Sequence, residues 1–362
     1  MAPDAQSDFR LCVLSPGGRD LEQYFDKPFE PTDKGHPPIN LHGFAACTSG
    51  SFHRKTKNAI EEKRPILLIL RGDFRATERA LIACKKEKRI VAVALKETGL
   101  HQIAEQLRDT ARLARFMRIV AHADGCVATT PEAGEIFRRA RPERDPTTVA
   151  FVPTPYPLEE PQWKFAVPPN EQRGIFVGTR EWDVPSRNHF TALLLAREIC
   201  EASGEPVTVF NLDGRKGEKL LTELKFPPGK LRVHNKREGY PDYLREVARH
   251  KIVLQLDRSR VPGQVAGDAL LCHTICVGGD GAIDRLTFAN YCGEGRTTAQ
   301  LKTIALDLLK NTAARATAIV ESHWRAAERV SFQAVRTQLE SFFERLSGQP
   351  VDLQPTLPII SK

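Results

Sequence analysis

No stretch of about 18 consecutive apolar residues occurs in the chain, so it carries no segment able to span a bilayer as a helix. Its opening, Met-Ala-Pro-Asp-Ala-Gln-Ser-Asp, has neither a basic start nor an apolar core, so no secretory leader is expected. Cys-x-x-Cys is absent as well. The eight cysteines (12, 47, 84, 126, 200, 272, 276, 292) are scattered, most of them inside apolar runs, and Cys272 and Cys276 have no second pair nearby to complete a zinc site. Free buried thiols in a reducing, cytoplasmic setting are the expectation.

What is present is ordinary globular material: 41% hydrophobic and 27% charged residues, enough to bury substantial cores and to exclude disorder or a collagen-like repeat. At about 150 residues per domain, 362 residues suggest two domains or one large one. The net charge is +8, which calls for an anionic partner without choosing among nucleotide, lipid headgroup and nucleic acid. Residues 1–152 carry 25 Lys and Arg against 20 Asp and Glu, and the remainder 28 against 25, so by halves the excess is spread.

Short, near-continuous apolar runs alternate with helical patterns, as in parallel strands buried on both faces. Strands are expected at 10–15, 65–71, 90–95, 125–129 and 148–152, with helices near 77–88, 99–121 and 131–141. The second half repeats this, with strands at 174–177, 207–211, 231–234, 252–256 and 274–277 and helices near 186–203, 240–249 and 265–271. Two long helices follow Thr297, and a C-terminal helix is expected near 331–346, packing back on the first domain. Strand–helix alternation twice over predicts an α/β protein of two Rossmann-like parallel-sheet domains, 1–152 and 173–330, with 331–362 as helix and tail. Between the domains, residues 153–172 hold six prolines in twenty residues and read as a stiff connector. Residues 17–60 show the weakest periodicity.

Open α/β sheets bind ligands beyond the carboxyl ends of their strands, so the residues just after each strand are the candidates. After the first strand, Ser15-Pro16-Gly17-Gly18-Arg19-Asp20 is either a plain turn or a place where backbone amides approach a phosphate; it is neither a P-loop nor Gly-x-Gly-x-x-Gly. Asp73, Glu97 and His101 are the titratable groups at the mouth of the first sheet. Each is either a general base for an acceptor hydroxyl or a helix-end residue without chemistry. On the helix near 99–121, Ile103, Leu107, Ala114 and Met117 share one face and Arg108, Arg112 and Arg115 lie roughly opposite. That basic stripe is either a solvated face or a docking surface for anionic lipid. In the second half, Arg180 and Arg187 flank the start of a long helix after a strand and a glycine, a suitable pyrophosphate site. Further on, Asp257-Arg258-Ser259-Arg260-Val-Pro-Gly263-Gln264-Val-Ala-Gly-Asp268-Ala leaves a strand and enters a helix.

The segment 174–284 resembles the donor-binding domain of GT-B glycosyltransferases, in particular the retaining family 4 group. Arg260-Val-Pro-Gly263 stands where that group has Glu-x-Phe-Gly, Asp268-Ala269 where it has the second Glu-Ala, and His273-Thr-Ile-Cys-Val277 where it has Gly-x-Pro-Val-Val. Tyr240-Pro-Asp-Tyr-Leu and the stretch after it are also similar to exostosin-like transferases. The resemblance implies transfer of a sugar from a nucleoside diphosphate sugar, as co-substrate and without a cofactor, to an acceptor bound by the first domain. Asp268 would meet the ribose hydroxyls, and Arg180 and Arg187 would neutralise the diphosphate. The family 4 likeness favours retention of configuration, with the departing phosphate taking the acceptor's proton. No Asp-x-Asp stands at a strand end, so no obligatory metal is expected. The departures are Arg260 for the first Glu, Asp268 for the second, and Arg187 for a Lys, set further from Arg180 than in the family. Two other readings stand beside it: a catalytically silent GT-B protein that binds a nucleotide or glycan, and a transferase acting on nucleic acid. The acceptor classes left open are a glycan, a lipid-linked glycan and nucleic acid, with a peripheral membrane contact.

Overall fold

A computed structural model describes residues 9–18, 29–33, 35–178 and 184–348. The first of its two sheets contains β1 (Cys12–Leu14), β2 (Ser51–His53), β3 (Ile66–Leu70), β4 (Val91–Leu95), β5 (Gly125–Ala128) and β6 (Val149–Phe151), all parallel, in the order β2-β1-β3-β4-β5-β6. The second contains β7 (Ile175–Val177), β8 (Val207–Phe210), β9 (Leu231–His234), β10 (Ile252–Leu254) and β11 (Ile275–Val277), also parallel, in the order β11-β10-β7-β8-β9. In each sheet the chain reverses its direction of travel once, beside β1 in the first and beside β7 in the second. Such switch points leave a crevice at the carboxyl ends of the strands.

The first sheet is covered on both faces, which is why its strands are apolar at successive positions. Cys12, Leu14, Ile66, Leu68 and Leu70 face the helices Thr56–Glu61, Arg75–Lys86, Leu100–Leu107, Thr110–His122 and Pro131–Ala140. Val13, Leu67 and Ile69 face the helix Asn40–Ala46 and the C-terminal helix Phe332–Ser347, whose Val335, Leu339, Phe342 and Phe343 join that core. The second sheet has one core, closed by helices that include His189–Ser203, Tyr240–Ala248, Gln264–Leu271, Ala282–Thr287, Thr298–Lys310 and Thr312–Arg329. All eight cysteines are free and buried.

All ten strands read from the sequence are present, most of them trimmed at their ends, and β2 is an addition. The expected helix 99–121 is two helices. Asp109 accepts a hydrogen bond from the Arg112 amide at 2.8 Å and caps a new start at Thr110. The proline-rich connector is not a free spacer. Tyr156 and Trp163 within it are fully buried: the Tyr156 amide donates to Val330 O at 2.8 Å, and the Trp163 indole donates to Phe29 O at 2.8 Å. No helix among the described residues is long and apolar enough to cross a membrane.

Candidate functional site

The carboxyl ends of the two sheets face each other across a cleft of about 560 Å³. From the first domain it is lined by Ser15 after β1, by Leu95 at the end of β4 and Lys96 to Thr98 after it, by Gln102, and by Thr129 after β5. From the second it is lined by Gly178 after β7, Gln255 and Asp257 after β10, and Gly281 and Asp284 after β11. Gly178 is required by packing: a methyl there would sit 2.3 Å from Val265 Cγ1, so only a glycine lets the start of the helix Gln264–Leu271 approach the end of β7.

Arg187 faces the cleft at the second switch point and forms an ion pair with Asp257. Asp257 is buried and also accepts from the Ser259 amide at 2.7 Å. The guanidinium is thereby oriented at the cleft wall, and its fork geometry is suited to phosphate oxygens. Gly263 and Gln264 form the cleft wall, with Gly263 in a left-handed conformation (φ 98°) and Gln264 Oε1 accepting from Asn40 Nδ2 at 3.4 Å across the domains. Asp284 is buried, and Gln255 Nε2 donates to it at 2.8 Å. Burial, reinforced by the negative charges of Asp257 and Asp280, pushes its carboxyl up to about 7 against the pull of the Gln255 hydrogen bond.

The other residues expected at the site fare differently. Arg180 falls outside the described residues. Asp268 is buried and does not line the cleft; Tyr240, which does, donates to it at 2.5 Å. Burial and the Asp268 charge push the Tyr240 phenol well above its ordinary value, so it stays a donor. Arg260 does not line the cleft and is paired with a cluster of acids: Glu294 at 2.6 Å, Asp280 at 3.2 Å and Glu132 of the first domain at 3.4 Å. Arg258 donates to the carbonyls of Gly293 and, at 2.9 Å, Arg296. Asp73 is exposed, outside the cleft, and accepts from the Arg75 amide at 3.1 Å at the start of its helix. Glu97 lines the cleft and accepts from Gln102 at 3.0 Å. His101 stands beside the cleft, 3.2 Å from Ser186 Oγ, which in turn lies 2.7 Å from Ser259 Oγ. Gly17 and Gly18 form the turn after β1, of which Ser15 reaches the cleft, and a methyl at Gly18 would sit 2.7 Å from the Arg71 guanidinium.

Residues that sequence reasoning missed include Asn40, His42, Tyr243, Gln255 and Asp284. His42 is buried between two rings, His36 at 4.5 Å and Phe52 at 3.7 Å between centroids. Those two rings sit in the span of weakest periodicity, so no pattern announced them. Asp284 had a signal: it comes after a strand and a Gly-Gly-Asp-Gly turn. Among the described residues, Cys12, His53 and Glu62 offer metal-ligating atoms within 4.8 Å of one another. They lie at the β1–β2 edge, outside the cleft, and Glu62 is already engaged by His53 at 2.6 Å and Ser51 at 2.5 Å.

No family model matches the sequence, and no curated protein matches it. Solved structures do share its architecture. Anabaena HepE, crystallised with UDP, superposes with a TM-score of 0.62 at 12% identity, over 93% of this chain and 100% of its own. A glycosyltransferase from Rickettsia africae gives 0.56 at 10% identity, covering 81% of this chain and 80% of its own. The E. coli trehalose-6-phosphate protein bound to UDP-2-fluoro glucose gives 0.57 at 11% identity, covering 82% and 77%. The chain therefore has the GT-B fold: two facing parallel α/β domains with a cleft between them.

Proposed function

We propose that the protein is a glycosyltransferase that moves a sugar from a nucleoside diphosphate sugar to an acceptor on the first domain. The observation that carries this is Arg187, aimed into the cleft at the second switch point and oriented by Asp257. As the sugar–phosphate bond breaks, negative charge grows on the diphosphate, and a guanidinium already in place stabilises it without reorganisation. Arg180 is the second cation in this reading. Asp268 acts on the ribose through Tyr240, whose phenol it holds while the oxygen's lone pairs remain for a ribose hydroxyl. The cations stand in for a metal, and retention of configuration, as in family 4, needs no enzyme base because the departing phosphate oxygen takes the acceptor proton. HepE was crystallised with UDP and the E. coli protein with a UDP-sugar analogue, which supports a uridine donor.

Arg260 favours a second reading, since the position where family 4 has a glutamate is tied into an acidic cluster that does not line the cleft. Binding without turnover would identify that silent form. The test is calorimetry and thermal unfolding with UDP, GDP, ADP, CMP and their common sugar conjugates, because a ligand of the native state raises its melting temperature. One diphosphate should bind, and Arg187→Ala should weaken it by about tenfold, the worth of one charge-assisted hydrogen bond. Absence of binding by every nucleotide overturns the transferase reading and leaves the silent form as a glycan binder only.

A further inference from the structure

The edge of the first sheet buries polar side chains where the rest of the sheet buries apolar ones. β2 pairs with β1 so that Ser51 lies beside Cys12, Phe52 beside Val13 and His53 beside Leu14. Strand alternation then sends Phe52 to the face of Val13, and Ser51 and His53 to the face of Cys12 and Leu14. Both polar residues are buried there, which is unfavourable unless something engages them.

Glu62, one residue beyond the helix Thr56–Glu61, comes to the same point. One carboxylate oxygen accepts from Ser51 Oγ at 2.5 Å, and the other lies 2.6 Å from His53 Nε2. Arg64 stands 3.5 Å from the first of these oxygens and is partly exposed. The Cys12 sulfur, an imidazole nitrogen of His53 and a Glu62 oxygen all lie within 4.8 Å of one another. Burial, with the Glu62 charge behind it, pushes the Cys12 thiol up to about 12, so it is no nucleophile at neutral pH. None of these residues lines the cleft, so the transfer reaction has no use for them.

Hydrogen bonding accounts for Ser51, His53 and Glu62 without the thiol. Sulfur, nitrogen and carboxylate oxygen within reach of one ion form a donor set for zinc, and too soft a set for magnesium or calcium. We propose that Cys12, His53 and Glu62 bind a zinc ion, with a water molecule completing the tetrahedron. Zinc bonds of about 2.0–2.1 Å to nitrogen and oxygen set those two atoms about 3.3 Å apart, so the imidazole and carboxylate separate by about 0.7 Å on binding. Glu62, a long side chain at the end of a six-residue helix, supplies that movement, and Ser51 holds its other oxygen. The Cys12 proton leaves to solvent as the zinc–sulfur bond forms. Thiolate and carboxylate together balance the ion's two charges, and Arg64 can turn outward. The ion ties β1, β2 and the helix Thr56–Glu61 at one point. Phe52 on β2 and Asn40 and His42 on the preceding helix line the cleft, so the site steadies that wall from outside it. This holds whether or not the transferase reading does.

The full chain, stripped with chelator and reloaded with zinc, supplies the test. It should retain one zinc per chain, and X-ray absorption at the zinc edge should count one sulfur at about 2.3 Å and three nitrogen or oxygen atoms. Cobalt in place of zinc should give a thiolate-to-cobalt charge-transfer band, and zinc should raise the melting temperature of the stripped chain. Cys12→Ser should abolish the band, and both it and Glu62→Gln should weaken zinc binding by about tenfold or more. Cys84→Ser, which alters another buried thiol of the same core, should leave band and affinity unchanged. The proposal is overturned if the folded, stripped chain retains no zinc, if the sulfur count is none or more than one, or if the band survives in Cys12→Ser. Should a variant fail to fold, the sulfur count on the unaltered chain decides alone.

Discussion

Asp284 shows how much a side chain's chemistry depends on neighbours that no local pattern reveals. Three glycines wrap its carboxyl: a methyl at Gly279 would sit 2.4 Å from one oxygen, and methyls at Gly281 and Gly263 would sit 2.7 and 3.0 Å from the other. The carboxyl therefore occupies space that side chains would otherwise fill, and the burial raises its pKa to about 7. In the unfolded chain it ionises near 3.8. Between those values the native state holds a proton that the unfolded state has released, so this group's contribution to stability falls as pH rises from 3.8 to about 7 and is level above. Asp284→Asn, neutral at every pH, should then gain on the unaltered protein with rising pH. The difference in melting free energy should grow by on the order of 1 kcal/mol or more between pH 5 and 8 in buffered thermal scans. A difference flat in pH would mean the carboxyl is ionised normally. Of the chemically important side chains, the sequence announced the types: arginines and carboxylates after strands. It could not give their directions. Arg260 and Arg187 have similar surroundings on paper, yet one meets Glu132, Asp280 and Glu294 and the other faces the cleft, because only the fold decides which acids stand nearby.

Strands and helices were legible in proportion to their length and apolar content. β3 and β4, five buried residues each, stood out from composition alone. β2 has three residues, two of them polar, and exists because β1 offers it an edge to pair with. The helices Asn40–Ala46 and Thr56–Glu61 are too short for periodicity to show and are held by packing. The break at Asp109 carried a capping residue in plain view, but an unbroken apolar face over 103–117 outweighed it. One contact between elements can be tested directly, the approach of the helix Gln264–Leu271 to the end of β7 over Gly178. Gly178→Ala places a methyl 2.3 Å from Val265 and 3.1 Å from Val253, which forces that helix back from the sheet. The expected cost is about 1–3 kcal/mol in urea unfolding, together with weaker nucleotide binding because Gly263 and Gln264 move with the helix. Unchanged stability would show that the helix start is free to shift.

The division into two α/β halves was readable because each half repeats the same strand–helix alternation, a property of the chain taken locally. What joins the halves was not, because it is made from pairs far apart in sequence. Glu132 of the first domain is held by two hydrogen bonds from Arg285 at 2.7 and 2.9 Å, with Arg260 close by. Burial pushes the Glu132 carboxyl up, but the Arg285 hydrogen bonds and the two positive charges outweigh it and hold the group below its ordinary value of 4.5. The stabilisation is thus complete above pH 4.5 and lost as pH falls through the lower native value. Glu132→Gln should lower stability by about 1–3 kcal/mol at pH 7. It should also widen the particle in small-angle scattering, with the stability difference shrinking below pH 4.5. A compact variant of full stability would show that the clamp is ornamental. The connector carries a further consequence. Tyr156 lies within it, its ring against Gly267, where a methyl would come within 2.0 Å, and its hydroxyl on the carbonyl of Gln264. The linker is therefore a lever whose short arm ends on the same helix that forms the cleft wall. A swing of one domain against the other that strains the connector would bear on Gly263 and Gln264 through that ring, linking the gape of the cleft to the contour of its wall.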